Sequence, residues 1–416
     1  MLIRSAPTAS AAPDPDGCKR WRDGSDRVID PAATLARVRP MLPQLGITRI
    51  GMLTGLDVIG IPVAAAYRPN SRSVAVHQGK GVSDAAAQVS AAMEALECWH
   101  AETPDLPLRL ASAEEIAAIG TAVDPDRLPR SAGGGDPFAE RLLWVEGRDL
   151  AQDRPVFVPY ELVAADYTAP APPGSGMFQA TTNGLASGNH WLEAVTHGLY
   201  EVVERDATAL WHAAPVAQRR DRTLDLATVT GPCSALLGRF ARAGVAVTVW
   251  DVTTEIGLPC FLALALDPRG GSVEPELGAG CHADREVALS RALTEAAQAR
   301  LTRISGARDD FALAGYAAAG RGARETEAEG WRGVRGRRRF AAAPAFAGPT
   351  LRHDLDAALE RLTAAGFGQV IAIDLTRAEF GVPVARIIVP GLEGPFDPDG
   401  GWTPGPRARS AAGPER

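Results

Sequence analysis

Residues 79–102 of the chain read GKGVSDAAAQVSAAMEALECWHAE, in which a Gly-Lys-Gly turn precedes a run with Glu94 and Glu97 three residues apart. Residues three apart share a face of a helix, so this run predicts a helix that presents two carboxylates in one direction. The same pattern returns twice, with Glu201 and Glu204 in SGNHWLEAVTHGLYEVVERDA (187–207) and with Glu295 and Gln298 in ADREVALSRALTEAAQARL (283–301).

An alanine lies seven residues before the first glutamate of each run, at Ala87, Ala194 and Ala288. Seven residues are close to two helical turns, so each alanine lies on nearly the same face as its glutamate. A small residue at this position favours close packing of each helix against a neighbour. The three runs therefore indicate an internally repeated strand-loop-helix unit in a mixed α/β (α+β) fold.

Paired glutamates in a helix are commonly a solvated face. Around Glu94, however, the flanking residues are small or apolar, which favours buried charge, and buried charge is paired or coordinates a metal. Four carboxylates brought together repel one another unless cations lie between them. Oxygen ligands suit Mg²⁺, which usually binds together with the phosphates of a nucleotide.

The totals exclude several classes of protein. The chain has 416 residues and a formal charge of −7, which argues against a general nucleic-acid binder. No apolar run reaches the length of a membrane span, and the first residues lack the apolar region of a signal peptide. Five scattered cysteines without a Cys-x-x-Cys pair predict neither a disulfide framework nor a zinc site. We therefore expect a cytoplasmic protein with reduced thiols.

Composition divides the chain into three parts. Residues 1–27 predict a flexible arm, residues 28–393 a single domain, and residues 394–416 a weakly ordered tail rich in Pro and Gly. Within the domain, residues 316–340 mix Gly with both charges and predict a surface insertion.

Other polar residues near the runs have two interpretations each. Lys80 in the Gly-Lys-Gly turn lies where backbone N–H groups can cradle phosphate, although the turn lacks the Walker A pattern. Glu193 either joins the site or is a glutamate in the first turn of its helix, where the helix dipole stabilises negative charge. Arg205 is a counter-charge or a phosphate clamp, and Arg291 is an ordinary ion-pair partner of Glu295 or part of the site. The histidines show no ligand spacing and are expected to be surface or core residues.

The three runs in their order, together with RPNSRSVAVHQGKG (68–81) and DLTR…VPGLE near the end, resemble the YcaO family. The resemblance covers about residues 30–392 and is greatest to the branch that works with TfuA-type partner proteins. It implies binding of ATP and Mg²⁺, phosphorylation of a backbone amide oxygen of a peptide or protein, and attack by a nucleophile. A side-chain nucleophile then gives an azoline, sulfide gives a thioamide, and an amine gives an amidine.

Carried over residue by residue, the resemblance implies two sets of functional residues. The metal ligands are Glu94, Glu97, Glu201 and Glu204. The nucleotide and phosphate contacts are Lys80, Asn189, Glu193, Arg205, Arg291 and Glu295, of which Arg205, Arg291 and Glu295 are the candidate catalytic residues.

One departure bears on the chemistry. Azoline-forming members typically end in Pro-x-Pro-x-Pro, whereas here Pro404-Gly405-Pro406 is followed by Arg407. We therefore expect thioamide formation on a precursor peptide with a TfuA-like partner protein, with azoline or macroamidine formation as the alternative. A homodimer is left open, and a scaffold protein without turnover is the hypothesis from another class.

Overall fold

The structure is a computed structural model that describes residues 14–21, 24–267, 275–308, 326, 328–397 and 402–413. Its α-helices are α1 (Pro31–Val38), α2 (Asp84–Glu102), α3 (Ala113–Ala117), α4 (Trp191–Ala213), α5 (Val216–Asp221), α6 (Gly231–Arg242), α7 (Arg285–Ser305), α8 (Leu351–Ala364) and α9 (Pro406–Ala412). Its strands are β1 (Arg49–Met52), β2 (Val63–Tyr67), β3 (Val76–Lys80), β4 (Leu108–Ala111), β5 (Leu142–Asp149), β6 (Arg154–Pro159), β7 (Leu185–Ser187), β8 (Leu224–Asp225), β9 (Ala246–Asp251), β10 (Cys260–Leu266), β11 (Glu276–Cys281), β12 (Arg338–Arg339), β13 (Ile371–Asp374) and β14 (Val384–Ile388).

The strands form three larger antiparallel sheets. One has the order β1-β2-β3 and another the order β11-β10-β9. The largest has the order β4-β5-β13-β14-β7, with β6 added beside β5. A short parallel pair joins β8 to β12. Each larger sheet packs against one long helix: α2 on β2 and β3, α4 on β7 and β14, and α7 on β10 and β11.

The predicted strand-loop-helix repeat is confirmed. Strands β3, β7 and β11 each lead through a short loop into α2, α4 and α7. Each helix begins with a side-chain cap: Ser83 accepts from the N–H of Ala86, and Asp284 accepts from that of Glu286. Such caps satisfy N–H groups that the first helical turn leaves free, so the sequence itself fixes where each glutamate-bearing helix starts.

The alanines that precede the glutamates do allow close packing. Ala87, Ala194 and Ala288 have no exposed surface. On the strand side, a Cβ atom added to Gly79 would lie 2.0 Å from the Ala91 nitrogen, and one added to Gly280 would lie 2.1 Å from the Ala288 oxygen. Glycine on the strand and alanine on the helix therefore bring backbone against backbone, which holds each glutamate pair at a fixed height above its sheet.

The prediction of a flexible arm over residues 1–27 is wrong for the part that the structure describes; residues 1–13 and 22–23 lie outside it. The Lys19 side chain is fully buried between Asp26, at 2.7 Å, and Asp354 of α8. Two carboxylates offset the cost of burying this ammonium group, so residues 14–21 and 24–27 are fastened to the domain. Composition alone missed this because the partner Asp354 is distant in sequence.

The surface insertion predicted at 316–340 is anchored to the domain where the structure describes it; residues 316–325 and 327 lie outside the described part. Trp331 is 4% exposed, and its ring meets that of Trp250 edge-on with centroids 5.1 Å apart. Strand β12, which belongs to the same segment, pairs with β8. Residues 328–340 therefore lie at the surface, where most of their side chains are exposed, and Trp331 and Phe340 anchor them to the domain.

The tail predicted to be weakly ordered docks on the domain over residues 402–413, while residues 398–401 and 414–416 lie outside the described part. Ala408 of α9 has no exposed surface, and Arg407 forms an ion pair with the buried Asp206 of α4. Phe396 stacks on His212 with ring centroids 3.9 Å apart. The tail thus docks through a few specific contacts, although its sequence lacks a broad apolar face.

In the described residues, the helices are too short or too polar to cross a membrane. All five cysteines lie in described residues and are free thiols, four of them buried.

Candidate active site

A cavity of about 710 Å³ lies where α2, α4 and α7 come together. All ten residues expected to be functional line it, namely Lys80, Glu94, Glu97, Asn189, Glu193, Glu201, Glu204, Arg205, Arg291 and Glu295. Their convergence from three separate repeats is a result that the sequence predicted but could not itself show.

The glutamates of α2 are in an unfavourable place for negative charge. Burial raises the pKa of Glu94 to about 7 and that of Glu97 to about 8. Each is also raised by Glu201, and Glu97 further by Glu94. The Glu94 side chain keeps 39% of its surface exposed to the cavity, so its carboxyl group is available to a ligand. A cation placed between these groups would relieve their mutual repulsion.

Hydrogen bonds from neighbouring strands hold two of the carboxylates in place. Glu97 accepts from the N–H of Ser187 at 2.8 Å and from its hydroxyl at 2.6 Å. Glu204 accepts from the N–H of Cys281 at 3.0 Å. Burial raises the pKa of Glu204, against the opposing effect of Arg205. Each repeat therefore positions a glutamate of another repeat: β7 holds Glu97 of α2, and β11 holds Glu204 of α4.

Glu295 is held in the ionised form. Burial alone would raise its pKa, but Lys80, which forms an ion pair with it, and Arg205 lower the pKa to about 2. The N–H of Ala279 also donates to Glu295 at 3.3 Å. Arg205 is in turn kept protonated, because Glu204, Glu201 and Glu295 raise its pKa although burial opposes this. This part of the cavity is a network of fixed opposite charges.

Glu193 joins the cavity rather than only the first turn of α4. Its side chain is 3% exposed and pairs with Arg27 at 3.2 Å. The N–H of Asn189 donates to Glu193 at 3.3 Å, and the Asn189 amide donates to Thr34 at 2.9 Å. Both residues therefore lie in a preorganised polar wall.

The sequence analysis missed Arg27 and His197. The His197 ring lies between two guanidinium groups, with Nδ1 3.2 Å from Arg27 and Nε2 3.4 Å from Arg291. Burial, followed by Arg291 and Arg27, lowers the pKa of His197 well below its usual value, so the ring is neutral. Its spacing of four residues from both Glu193 and Glu201 places it on the same face of α4, which was an available signal.

The donor set fits Mg²⁺ bound together with phosphate. Among the described residues, no three His, Cys, Asp or Glu side chains converge to hold an ion by themselves. Mg²⁺ characteristically takes one or two carboxylates and completes its shell with water and phosphate oxygens. The cavity lining combines carboxylates with Lys80, Arg205 and Arg291, which are the groups that such an ion and a polyphosphate require.

The chain belongs to the YcaO family: residues 78–393 match the family profile, which is described as a YcaO cyclodehydratase that binds ATP and Mg²⁺. It is similar to a solved structure, that of YcaO from Methanopyrus kandleri bound with AMPPCP and Mg²⁺. The TM-score is 0.72 with 26% identity, over 91% of this chain and 95% of that one. The predicted fold class and the predicted cofactors, ATP and Mg²⁺, are thereby confirmed.

Two relatives cover most of the chain. An uncharacterized protein from the tfuA 3′ region of Rhizobium leguminosarum bv. trifolii is 40% identical over 382 residues, 89% of each chain. An uncharacterized protein of Methanothermobacter thermautotrophicus is 36% identical over 386 residues, 88% of this chain and 95% of its own length. The first of these supports the expected association with the TfuA branch.

Proposed function

We propose that the protein activates a backbone amide of a peptide or protein in an ATP-dependent step and that the product is a thioamide, formed with a TfuA-like partner protein. The observation that carries the ATP-dependent activation is the convergence of all ten expected residues on one cavity. The observation that favours the thioamide is the similarity to a protein from a tfuA 3′ region.

In this proposal the charged residues bind and orient the nucleotide. When bound, Mg²⁺-ATP supplies the phosphoryl group that turns the amide oxygen into a leaving group. Glu94, Glu97, Glu201 and Glu204 would surround the cation, one or two of them as direct ligands, and a bound cation would offset the burial that raises their pKa values. Lys80, Arg205 and Arg291 would face the phosphates as fixed donors, which stabilises charge without reorganisation. The neutral His197 lies between Arg27 and Arg291 and would keep both guanidinium groups in place.

Uncharged residues of the same cavity are the ones that the peptide would contact in this proposal. Met93 and Cys98 of α2, Tyr167 and the segment 180–182 line the same cavity as the charged groups. Tyr167 is 47% exposed, and burial of the rest of its ring raises the pKa of its hydroxyl group. An uncharged wall that includes an accessible aromatic ring suits a peptide backbone next to the activated amide.

The test combines the purified protein with Mg²⁺-ATP, a sulfide source, a TfuA-like protein and a candidate precursor peptide. We expect a mass increase that corresponds to exchange of one oxygen for sulfur, dependent on ATP. Loss of water from the peptide in the absence of sulfide would instead support azoline formation. The description of the family as a cyclodehydratase favours this alternative. No ATP consumption with any peptide and partner would support the scaffold hypothesis.

A further inference from the structure

One ion pair fastens the segment 402–413 to the helix that carries most of the site. Arg407 at the start of α9 donates from Nε to Oδ1 of Asp206 at 2.8 Å and from Nη2 to Oδ2 at 2.9 Å. The two parallel hydrogen bonds make this a bidentate pair, which is the stronger and more directional form of arginine–carboxylate contact. Nη1 of Arg407 reaches Glu255 at 2.5 Å.

The Asp206 carboxylate is entirely enclosed by this arrangement. Its side chain has no exposed surface, and the N–H of Glu393 also donates to it at 2.9 Å. Glu393 in turn accepts from the N–H groups of Gly405 and Ala408, at 2.8 and 2.9 Å, and so holds the first turn of α9. Burial raises the pKa of Asp206, and Arg407 opposes this shift.

Asp206 directly follows Arg205, the residue that faces the carboxylates of the cavity. Consecutive residues of a helix point about 100° apart, so the two side chains leave α4 on neighbouring sides. Arg205 lies 3.6 Å from Glu204 and lines the cavity, whereas Asp206 pairs with Arg407. Without Arg407, the nearest cation to the Asp206 carboxylate along the helix would be Arg205. Opposite charges attract strongly when they are buried, so the Asp206 carboxylate would then attract the Arg205 guanidinium.

We propose that Arg407 is a positioning residue for the nucleotide site and acts through Asp206. It neutralises the Asp206 carboxylate on the outer side of α4, and so leaves the Arg205 guanidinium directed into the cavity. The inference rests on the proposed role of Arg205 in contacting the nucleotide phosphates.

The experiment is a double-mutant cycle on the full chain, read out as the affinity for AMPPCP with Mg²⁺ by calorimetry. We expect Arg407→Gln to weaken binding about tenfold, because the Asp206 carboxylate would lose its bidentate partner and draw Arg205 away from the cavity. Asp206→Asn removes the competing charge, so in the double variant Asp206→Asn/Arg407→Gln we expect affinity to return to within about threefold of the parent. Thermal unfolding of each variant shows whether it is folded during the titration.

Two further variants give the matched comparisons. Arg409→Gln changes an exposed arginine of the same short helix, whose side chain only reaches the carbonyl of Pro404, and should bind as the parent does. Arg407→Lys keeps the charge but cannot pair with both oxygens of Asp206, so we expect an intermediate loss.

The outcomes separate the inference from its basis. Parent-like affinity in both Arg407 variants overturns the inference. A double variant that binds no better than Arg407→Gln alone also overturns it. If Arg407 has only a structural role, the Arg407 variants and the double variant should all unfold at a lower temperature, and Asp206→Asn should not restore the affinity for AMPPCP with Mg²⁺. Arg205→Gln tests the basis itself. If it binds AMPPCP with Mg²⁺ as the parent does, the proposed role of Arg205 fails, and the inference fails with it.

Discussion

The N–H of Ser187 donates to the Glu97 carboxylate at 2.8 Å, and the Ser187 hydroxyl donates to the same oxygen at 2.6 Å. Ser187 ends β7 of the second repeat, whereas Glu97 belongs to α2 of the first. The contact therefore couples two repeats at the place where the metal is proposed to bind. Even with these hydrogen bonds the pKa of Glu97 is about 8, so burial outweighs them.

Glu94→Gln and Glu201→Gln should each weaken the binding of ATP with Mg²⁺ strongly, because a neutral amide is a poorer ligand for a hard cation. Without metal, the same variants should unfold at a higher temperature than the parent, because they remove repulsion between buried like charges. Titration calorimetry measures the first effect, and thermal unfolding in EDTA the second. Glu114→Gln, on the exposed surface of α3, is the control and should change neither. Unchanged affinity in both cavity variants would remove these glutamates from the site.

The stability of the metal-free protein should fall as pH rises. The pKa of Glu97 is about 8 and that of Glu94 about 7 in the fold, against a usual value of 4.5. Between pH 4.5 and 8 the folded protein thus holds more protons on these groups than the unfolded chain, so the free energy of unfolding decreases with pH in this window. Unfolding temperatures in EDTA from pH 5 to 8 check the sign.

Mg²⁺ should reverse that trend, because it binds the ionised carboxylates and releases their protons. The Glu97→Gln variant provides the control, since its metal-free stability should vary less with pH than that of the parent. A parent whose metal-free stability rises steadily from pH 5 to 8 would contradict the raised pKa values.

The sequence predicted the parts of this site that depend on local order. The spacing of Glu94, Glu97, Glu201 and Glu204 follows from helical geometry, and small residues at the contacts allowed the helices to meet. His197 was missed although its spacing from Glu193 and Glu201 places it on the same face of α4. Arg27 was missed because its place depends on contacts with segments far away in sequence, and it has no motif of its own. The same holds for Asp206, which looks like an ordinary surface acid until Arg407 covers it.

Lys80→Met should weaken nucleotide binding and destabilise the fold, because Glu295 would remain buried without its ion-pair partner. The chain has two lysines, Lys19 and Lys80, and the Lys19 side chain is fully buried whereas that of Lys80 is 16% exposed. An amine-reactive reagent should therefore label Lys80 ahead of Lys19, and AMPPCP with Mg²⁺ should protect it. Peptide mass mapping measures both. Labelling of Lys80 at the same rate with and without the nucleotide would place Lys80 outside the nucleotide site.

Removal of residues 407–416 should destabilise the protein, contrary to the expectation for a weakly ordered tail. The truncation takes away Arg407 and leaves the fully buried Asp206 carboxylate without its bidentate partner. Removal of one member of a buried ion pair lowers the free energy of unfolding by about 3 kcal/mol at the lower end of the usual range. We expect a value near this lower end, because the Arg407 side chain is 16% exposed. Chemical denaturation of the truncated and parent proteins measures the difference. Truncation after Ala412 keeps the Arg407–Asp206 pair and serves as the control. If both truncations unfold at the same denaturant concentration as the parent, the docking of α9 makes no contribution to stability, and Asp206 must be satisfied in another way.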